Sequence, residues 1–98
     1  MREIWTHGAW TVKPGHEEEF VAAWQAMARD ALREFQPSAE PRLLQDQERS
    51  NVFRSFAAWD DPEQVDRFRD FVQPRLQRFG ELTENMEVFT LEDVPLDG

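Results

Sequence analysis

Few side chains in this sequence are suited to acid–base or nucleophilic chemistry. The chain has two histidines, no cysteine and no tyrosine, which excludes thiolate nucleophiles, disulfides, cysteine-based zinc sites and phenolic catalysts. His7 is a candidate general base because an unperturbed imidazole titrates at about pH 6.5. His16 stands beside three glutamates and is expected to be solvated at a helix start. The two histidines match no recognised ligand spacing, so no metal site is expected.

Arg54 is the charged residue with the most apolar surroundings, since it lies within the run VFRSFAAW. A buried guanidinium requires a carboxylate partner or an anionic ligand. Asp46 or Glu48 can supply the carboxylate, in which case the pair is structural; otherwise Arg54 is a candidate catalytic residue. The adjacent Ser55 has no G-x-S-x-G context and no nearby histidine, so it is not expected to be a hydrolase nucleophile.

Bulky apolar side chains recur at positions that can enclose a flat cavity for a polycyclic aromatic ligand. The candidate substrate-binding residues of this kind are Trp10, Trp24, Met27, Phe56, Phe68 and Phe71. The alternative is that they are ordinary core residues. Gly8 joins the candidates because a glycine inside a strand marks either a bulge or a place where a ligand approaches the backbone. If Gly8 faces the helices, His7 faces the other side of the sheet and becomes an interface residue.

The first half of the chain predicts a strand and a long helix that position these residues. Residues 3–12 are rich in β-branched and aromatic side chains and end at Pro14-Gly15. Acids at 17–19 favour the start of a helix. Its predicted buried stripe, at spacings of three and four, is Phe20, Trp24, Met27, Ala31 and Phe35. Two prolines within residues 36–41 end this helix.

The second half predicts a hairpin, a broken helix and a last strand. Residues 42–48 and 52–59 form the hairpin, with turn-forming residues between them. A second helix begins at Asp60-Asp61-Pro62-Glu63, is interrupted at Pro74 and ends at Gly80. Residues 84–92 form the last strand. We expect one domain over residues 1–98, with a core at about 3–92 and a loose tail at 93–98.

This order of elements predicts an α+β fold. A βαββαβ chain of ferredoxin-like type forms an antiparallel four-stranded sheet. Right-handed crossovers place both helices on one face and leave the other face uncovered. The predicted strands nevertheless carry aromatic side chains on both faces. Leaving several of these side chains exposed to water would lose on the order of 10 kcal/mol of hydrophobic stabilisation. A second copy of the sheet is the simplest cover, so we expect a homodimeric α/β barrel.

Charge and hydropathy limit the kinds of molecule and surface that this protein is expected to bind. Eleven basic against twenty acidic residues give a formal charge of −9, which opposes nucleic-acid binding and attachment to an anionic membrane surface. The first residues lack the apolar run of a signal peptide, and no stretch of ~18 apolar residues occurs. We therefore expect a soluble, cytoplasmic protein.

Three segments carry a resemblance to a known family. The segment WTVKPGHEEEF, the helical FVAAW and the strand end FAAWDDPEQVDRF are together similar to the antibiotic-biosynthesis-monooxygenase-like family of dimeric α/β-barrel proteins. The resemblance covers residues 3–92 and implies a pocket in each subunit between sheet and helices. Members include cofactor-free oxygenases that convert phenolic or anthrone-like aromatics to quinones, quinol oxidases and haem-degrading enzymes.

The resemblance can be followed at individual positions. The haem-degrading branch uses an asparagine, a tryptophan and a histidine where this chain has Gly8, Phe68 and about Arg78, so haem cleavage is not expected. The phenol-oxidising branch has a tryptophan near the end of its third strand, which Trp59 matches. Arg54 is the candidate basic partner there, while the tyrosine of that branch has no counterpart.

The resemblance thus implies a small monooxygenase that uses no cofactor and oxidises an electron-rich aromatic or quinol. Trp59, Arg54 and His7 would polarise substrate or oxygen, and the aromatic pocket would exclude water. One alternative is a non-catalytic dimer that binds a small molecule or regulates. Another is an isomerase or cyclase acting on a polyketide-like substrate with one base.

Overall fold

The computed structural model describes residues 2–97, in which four strands and three helices form one sheet with a helical layer. The strands are β1 (Ile4–Val12), β2 (Ala39–Gln45), β3 (Val52–Trp59) and β4 (Thr83–Glu92). The helices are α1 (Glu17–Glu34), α2 (Pro62–Val72) and α3 (Leu76–Leu82), and a single 3₁₀ turn at Gln73–Arg75 joins the last two. Met1 and Gly98, the ends of the predicted domain and tail, lie outside the described residues.

The sheet has the strand order β2-β3-β1-β4, and its three strand pairs are antiparallel. This confirms the predicted α+β, ferredoxin-like fold. Along β1 the even-numbered positions from Thr6 to Val12 are buried while the odd-numbered ones are half-exposed. Because side chains alternate across a strand, the helices cover only one face of the sheet. We call the other side the open face.

Helix α1 packs on the sheet through the stripe that its sequence predicts. Phe20, Trp24, Met27 and Ala31 are all buried, and so is Phe35 directly after the helix. The turn before the helix needs glycine, since Gly15 has φ +92°, a left-handed conformation that other residues seldom adopt. The backbone N–H of Gly15 donates to the Glu17 carboxylate at 2.7 Å.

Three boundaries differ by two or more residues from the sequence prediction. β2 begins at Ala39 rather than at residue 42, ends at Gln45 rather than at residue 48, and includes Pro41. An edge strand tolerates proline, and the β2–β3 register shifts between Ala39 and Arg42, where a missing N–H costs no regular ladder bond. The last helix continues through Gly80 to Leu82, so the predicted end at the glycine is wrong. Pro74 does interrupt the second helix, within the 3₁₀ turn.

The interior contains two apolar clusters. The first cluster is built around Trp10, Phe20, Phe53 and Phe79. The second contains Phe35, Ala57, Trp59 and Val65, with Phe68 packed against it.

The prediction of a single domain with a core at 3–92 stays a prediction. Within residues 2–97, no helix is long and apolar enough to cross a membrane.

Candidate functional site

A cavity lies between the helices and the two central strands, and its floor is made of small residues. Thr6 and Gly8 of β1 stand opposite Ala57 and Ser55 of β3 in the strand register. All four residues border the cavity. Since paired residues on antiparallel strands share one face, these four short side chains form a patch that leaves room above the sheet.

Two tryptophans bound this floor, and each indole N–H donates to a hydroxyl of the sheet. The Nε1–H of Trp10 donates to Oγ of Ser55 at 3.0 Å. The Nε1–H of Trp59 donates to Oγ1 of Thr6, also at 3.0 Å, and Thr6 Oγ1 lies 3.5 Å from the carbonyl oxygen of Ala57. These bonds hold both buried indole rings in fixed orientations, since a buried indole N–H that lacked a partner would be costly.

Gly8 is required for the position of Trp10. A Cβ placed on Gly8 would lie 2.5 Å from Nε1 of Trp10 and 2.6 Å from Oγ of Ser55. The indole therefore occupies the space that a side chain at position 8 would fill. The sequence suggested a bulge or a ligand near this glycine, but the β1–β4 register shift lies between Thr11 and Val12, and the close neighbour of Gly8 is Trp10.

The helices form the roof of the cavity. Trp24, Met27 and Ala31 of α1 and Phe68 of α2 line it. Its volume is about 70 Å³, several times the ~10–15 Å³ that one water molecule needs. At Leu32 and Val88, which are 48% and 55% exposed, the lining reaches the molecular surface.

The lining carries almost no charge. Among the described residues that border the cavity, none is Asp, Glu, Lys or Arg. No buried side-chain nitrogen or oxygen of the described chain lacks a hydrogen-bond partner. Within residues 2–97, no group of three His, Asp or Glu side chains is placed to hold a metal ion. The cavity is therefore a largely apolar site. The polar side-chain groups of its described lining are two hydroxyls, three indole N–H groups and the imidazole of His7.

A family model described as antibiotic biosynthesis monooxygenase matches residues 4–73, more than half of the chain. The chain belongs to the antibiotic biosynthesis monooxygenase family. No curated protein sequence matches it. The matched region contains β1 to α2 and therefore includes the floor, both tryptophans and most of the roof of the cavity.

Solved structures share the fold of this family member at low sequence identity. A protein from Shewanella oneidensis is 21% identical with a TM-score of 0.81, over 94% of this chain and 91% of the other. SnoaB, a cofactor-independent oxygenase from Streptomyces nogalater, is 20% identical with a TM-score of 0.78, over 98% of both chains. A putative antibiotic biosynthesis monooxygenase from Nitrosomonas europaea is 14% identical with a TM-score of 0.79, over 98% of this chain and 94% of the other.

The structure brings most of the sequence-predicted site residues of this family member together. Trp59 and five of the predicted substrate-binding residues line the cavity: Gly8, Trp10, Trp24, Met27 and Phe68. Phe71 is not among the described lining residues; its ring lies 5.5 Å from that of Phe35 and beneath the Arg75 guanidinium.

His7 and Phe56 border the cavity, yet their rings belong to the open face. They are paired across β1 and β3, at the positions that alternate with Gly8 and Ser55. The His7 ring stacks on Phe56 at 4.5 Å and on Phe89 at 5.6 Å. Nδ1 of His7 lies 3.1 Å from the carbonyl oxygen of Ser55.

Arg54 also lies on the open face, opposite Ala9 of β1 and Leu44 of β2. It is exposed, and no ion pair within residues 2–97 includes it, so the expected pairing with Asp46 or Glu48 is absent there. Asp46 instead accepts hydrogen bonds from the backbone N–H groups of Glu48 and Arg49, each at 2.8 Å. The N–H groups of Arg49 and Glu48 lower the pKa of the Asp46 carboxyl.

The sequence prediction omits two residues of the floor. Thr6 is not among the predicted site residues, and Ser55 enters the prediction only as an unsuitable nucleophile. Thr6 lies two positions before Gly8 and Ser55 lies four positions before Trp59, so strand alternation places both on the buried side. Their role as partners of the indole groups depends on the β1–β3 register, which no local pattern reveals.

Proposed function

We propose that this protein is a cofactor-independent monooxygenase that oxidises an electron-rich aromatic or quinol in the cavity. The observation that supports the proposal is the apolar cavity between Trp10 and Trp59, above a floor of small residues. The indole rings and the apolar lining favour a flat, apolar ligand. Membership of the antibiotic biosynthesis monooxygenase family and the fold shared with SnoaB support the same activity.

The reaction needs only substrate and dioxygen. An activated ring CH₂ group loses a proton to water at the rim, and the carbanion transfers electrons to dioxygen. One oxygen atom forms a carbonyl on the substrate, while the other leaves as water, so that R₂CH₂ and O₂ give R₂C=O and H₂O. The contribution of the protein is to orient the ring and exclude bulk water from the reactive intermediate.

In this proposal Trp59 is the residue nearest the chemistry. It closes one end of the cavity, and its N–H, bonded to Thr6, fixes the ring plane against which the substrate packs. Gly8, Trp10, Trp24, Met27 and Phe68 complete the binding surface. Phe71 supports the second cluster behind that surface.

The proposal gives Arg54, His7 and Phe56 a place in a homodimer interface. The open face carries large apolar side chains, with Phe89 39%, Leu91 46% and Leu44 47% exposed. A two-fold axis along the strands brings the β4 side of one copy against the β2–β3 side of the other. Arg54 then faces the β4 side of the partner, where Glu87 pairs with Ala9 of β1 and so lies on the open face. Complementary charge and exposed apolar area thus both fit a second copy.

A non-catalytic binding protein is the second candidate function. It is favoured by the lining, because among the described residues no carboxylate or lysine faces the cavity and the ring of His7 stacks on the open face. An isomerase or cyclase requires a general base within reach of the substrate.

A cytoplasmic location stays a prediction from the sequence.

Oxygen consumption with dihydroanthracenone and hydroquinone substrates tests the function. We expect uptake by the wild-type protein with both substrates. With the dihydroanthracenone we also expect incorporation of one atom of isotopically labelled dioxygen into the product, whereas a hydroquinone that is oxidised to its quinone gains no oxygen atom. Trp59→Phe removes the indole at the end of the cavity and is expected to abolish uptake. Trp5→Phe makes the same change on the open face and serves as the matched control.

The possible results separate the three candidate functions. Uptake that is lost in Trp59→Phe and retained in Trp5→Phe supports the monooxygenase. Substrate turnover without uptake indicates an isomerase or cyclase, and saturable binding without turnover indicates the binding protein. Circular dichroism of both variants checks that each is folded.

A further inference from the structure

The hydroxyl of Ser55 has a hydrogen-bond donor that no described residue accepts from. A serine hydroxyl offers one donor and two acceptor lone pairs. Oγ of Ser55 accepts from Nε1 of Trp10, and this is its only hydrogen bond among the described residues. The hydroxyl proton is therefore uncommitted. Ser55 is buried and borders the cavity, so water does not freely solvate this donor.

The other polar groups of the floor are already used. The N–H groups of Trp10 and Trp59 donate to Ser55 and Thr6. Oγ1 of Thr6 accepts from Trp59 and lies within reach of the Ala57 carbonyl oxygen. In the floor, the Ser55 proton is thus the side-chain donor that a ligand can engage without breaking an existing bond. In the roof, the indole N–H of Trp24 also makes no side-chain hydrogen bond within residues 2–97.

The charge of the lining restricts the ligand further. A carboxylate or ammonium moved into an apolar cavity loses its hydration, and the described lining has no opposite charge to compensate. An uncharged molecule escapes this cost. An acceptor oxygen is the group that matches the free donor in the floor.

We propose that Ser55 positions the ligand, and that the cavity selects planar, uncharged molecules with one acceptor oxygen seated on the Ser55 hydroxyl. The Trp10 N–H occupies one lone pair of Ser55 and leaves the hydroxyl proton free, so the donor belongs to Ser55 and does not depend on the indole. The inference rests on the proposed function only in placing the substrate in this cavity. It concerns binding and holds whether or not the ligand is oxidised.

Anaerobic calorimetric titration with three compounds of matched shape tests the proposal. The probes are 1-indanone, which has one acceptor oxygen, indane, which has none, and indane-1-carboxylate, which is charged. We expect the wild-type protein to prefer 1-indanone over indane by about threefold to tenfold, the range for one neutral hydrogen bond. The carboxylate should bind at least tenfold more weakly than the ketone.

Two variants isolate the hydroxyl. Trp10→Phe removes the indole N–H and leaves Ser55 in place, so its preference for the ketone should persist. Adding Ser55→Ala to Trp10→Phe removes the hydroxyl as well, and the preference should disappear while indane affinity changes less than twofold. The single variant Ser55→Ala is less informative, since it frees the Trp10 N–H to bind the ketone in place of the hydroxyl.

Several results would overturn the assignment. These are a ketone preference that survives in the double variant, a preference already lost in Trp10→Phe, carboxylate affinity equal to that of the ketone, or no measurable binding of either neutral probe. Because dioxygen is absent from the titration, a failed oxygen-uptake assay leaves this result standing, and the reverse also holds.

Discussion

At the residue scale, Gly8 controls where the indole of Trp10 lies. The glycine has no side chain to keep the ring off the sheet, and the indole reaches Ser55 over it. The same contact places Trp10 at the edge of the cavity instead of within it. A glycine, which weakens most strands, therefore makes room here for the Trp10 ring.

Gly8→Ala is predicted to destabilise the protein and to reduce ligand binding. The added Cβ would lie 2.5 Å from the Trp10 nitrogen and 2.6 Å from Oγ of Ser55, so the indole must move toward the cavity. Overpacking of this kind costs roughly 1–3 kcal/mol. Denaturant unfolding measures the free energy, and titration with 1-indanone measures binding.

Gly15→Ala is the control for this prediction. Gly15 has φ +92°, and no heavy atom lies within 4 Å of the place that an added Cβ would take, so alanine there is strained but meets no neighbour. It should cost about 1–2 kcal/mol and leave ligand affinity unchanged. Wild-type stability and affinity in Gly8→Ala would contradict the role given to this glycine.

At the element scale, helix α3 contains a glycine that its structure does not require. Gly80 lies inside the helix, where the sequence predicted its end, and has no positive φ. The nearest heavy atom to an added Cβ is Cε of Met86 at 4.0 Å, an ordinary contact. The chain does not turn at this glycine because the helix continues until Leu82 packs into the core.

Gly80→Ala is predicted to stabilise the protein by about 0.5–1 kcal/mol, because alanine loses less backbone entropy in a helix than glycine does. Thermal and denaturant unfolding measure the change. A lower stability than wild type would indicate that α3 is not helical at this position.

The turn between β2 and β3 is stabilised by the Asp46 carboxylate. The N–H groups of Arg49 and Glu48 donate to it, and the Arg49 guanidinium lies 3.7 Å away. These donors favour the ionised carboxylate, which is why its pKa is lowered from 3.8. The contribution to stability is therefore present above pH 3.8 and is lost as the pH falls through the lower folded-state pKa.

A carbon-detected NMR titration is predicted to give Asp46 a pKa below 3.8. In Asp46→Asn the corresponding part of the acid-induced loss of stability should be missing, because asparagine does not titrate. A measured pKa at or above 3.8 would show that the two backbone N–H groups do not bind the carboxylate in solution.

At the scale of the whole molecule, the helices cover one face of the sheet and leave Phe89, Leu91 and Leu44 exposed on the other. The proposed homodimer buries this face. Phe89→Glu is predicted to shift the protein from dimer to monomer at micromolar concentration, because two carboxylates would then be buried in the interface. Analytical ultracentrifugation measures the distribution.

Leu96→Glu is the matched control for this prediction. Leu96 is 99% exposed but lies beyond β4, outside the open face. This variant should remain dimeric. A wild-type protein that sediments as a monomer at the same concentration would contradict the homodimer.

The amino-acid sequence by itself determined the order of elements, the buried stripe of α1 and the presence of apolar residues on both faces of the sheet. These features follow from periodicity, because the spacing of apolar residues fixes which side of a helix or strand is buried. Trp10, Trp24 and Met27 could be selected as cavity residues for the same reason.

Only the tertiary structure decided how these faces meet. The antiparallel register sets Gly8 opposite Ser55, and this pairing puts Ser55 under the Trp10 nitrogen while Arg54 is directed to the open face. Register is a relation between residues about 47 positions apart, and local spacing cannot encode it. The donors available to a ligand were therefore not predictable from the sequence, although the apolar walls around them were.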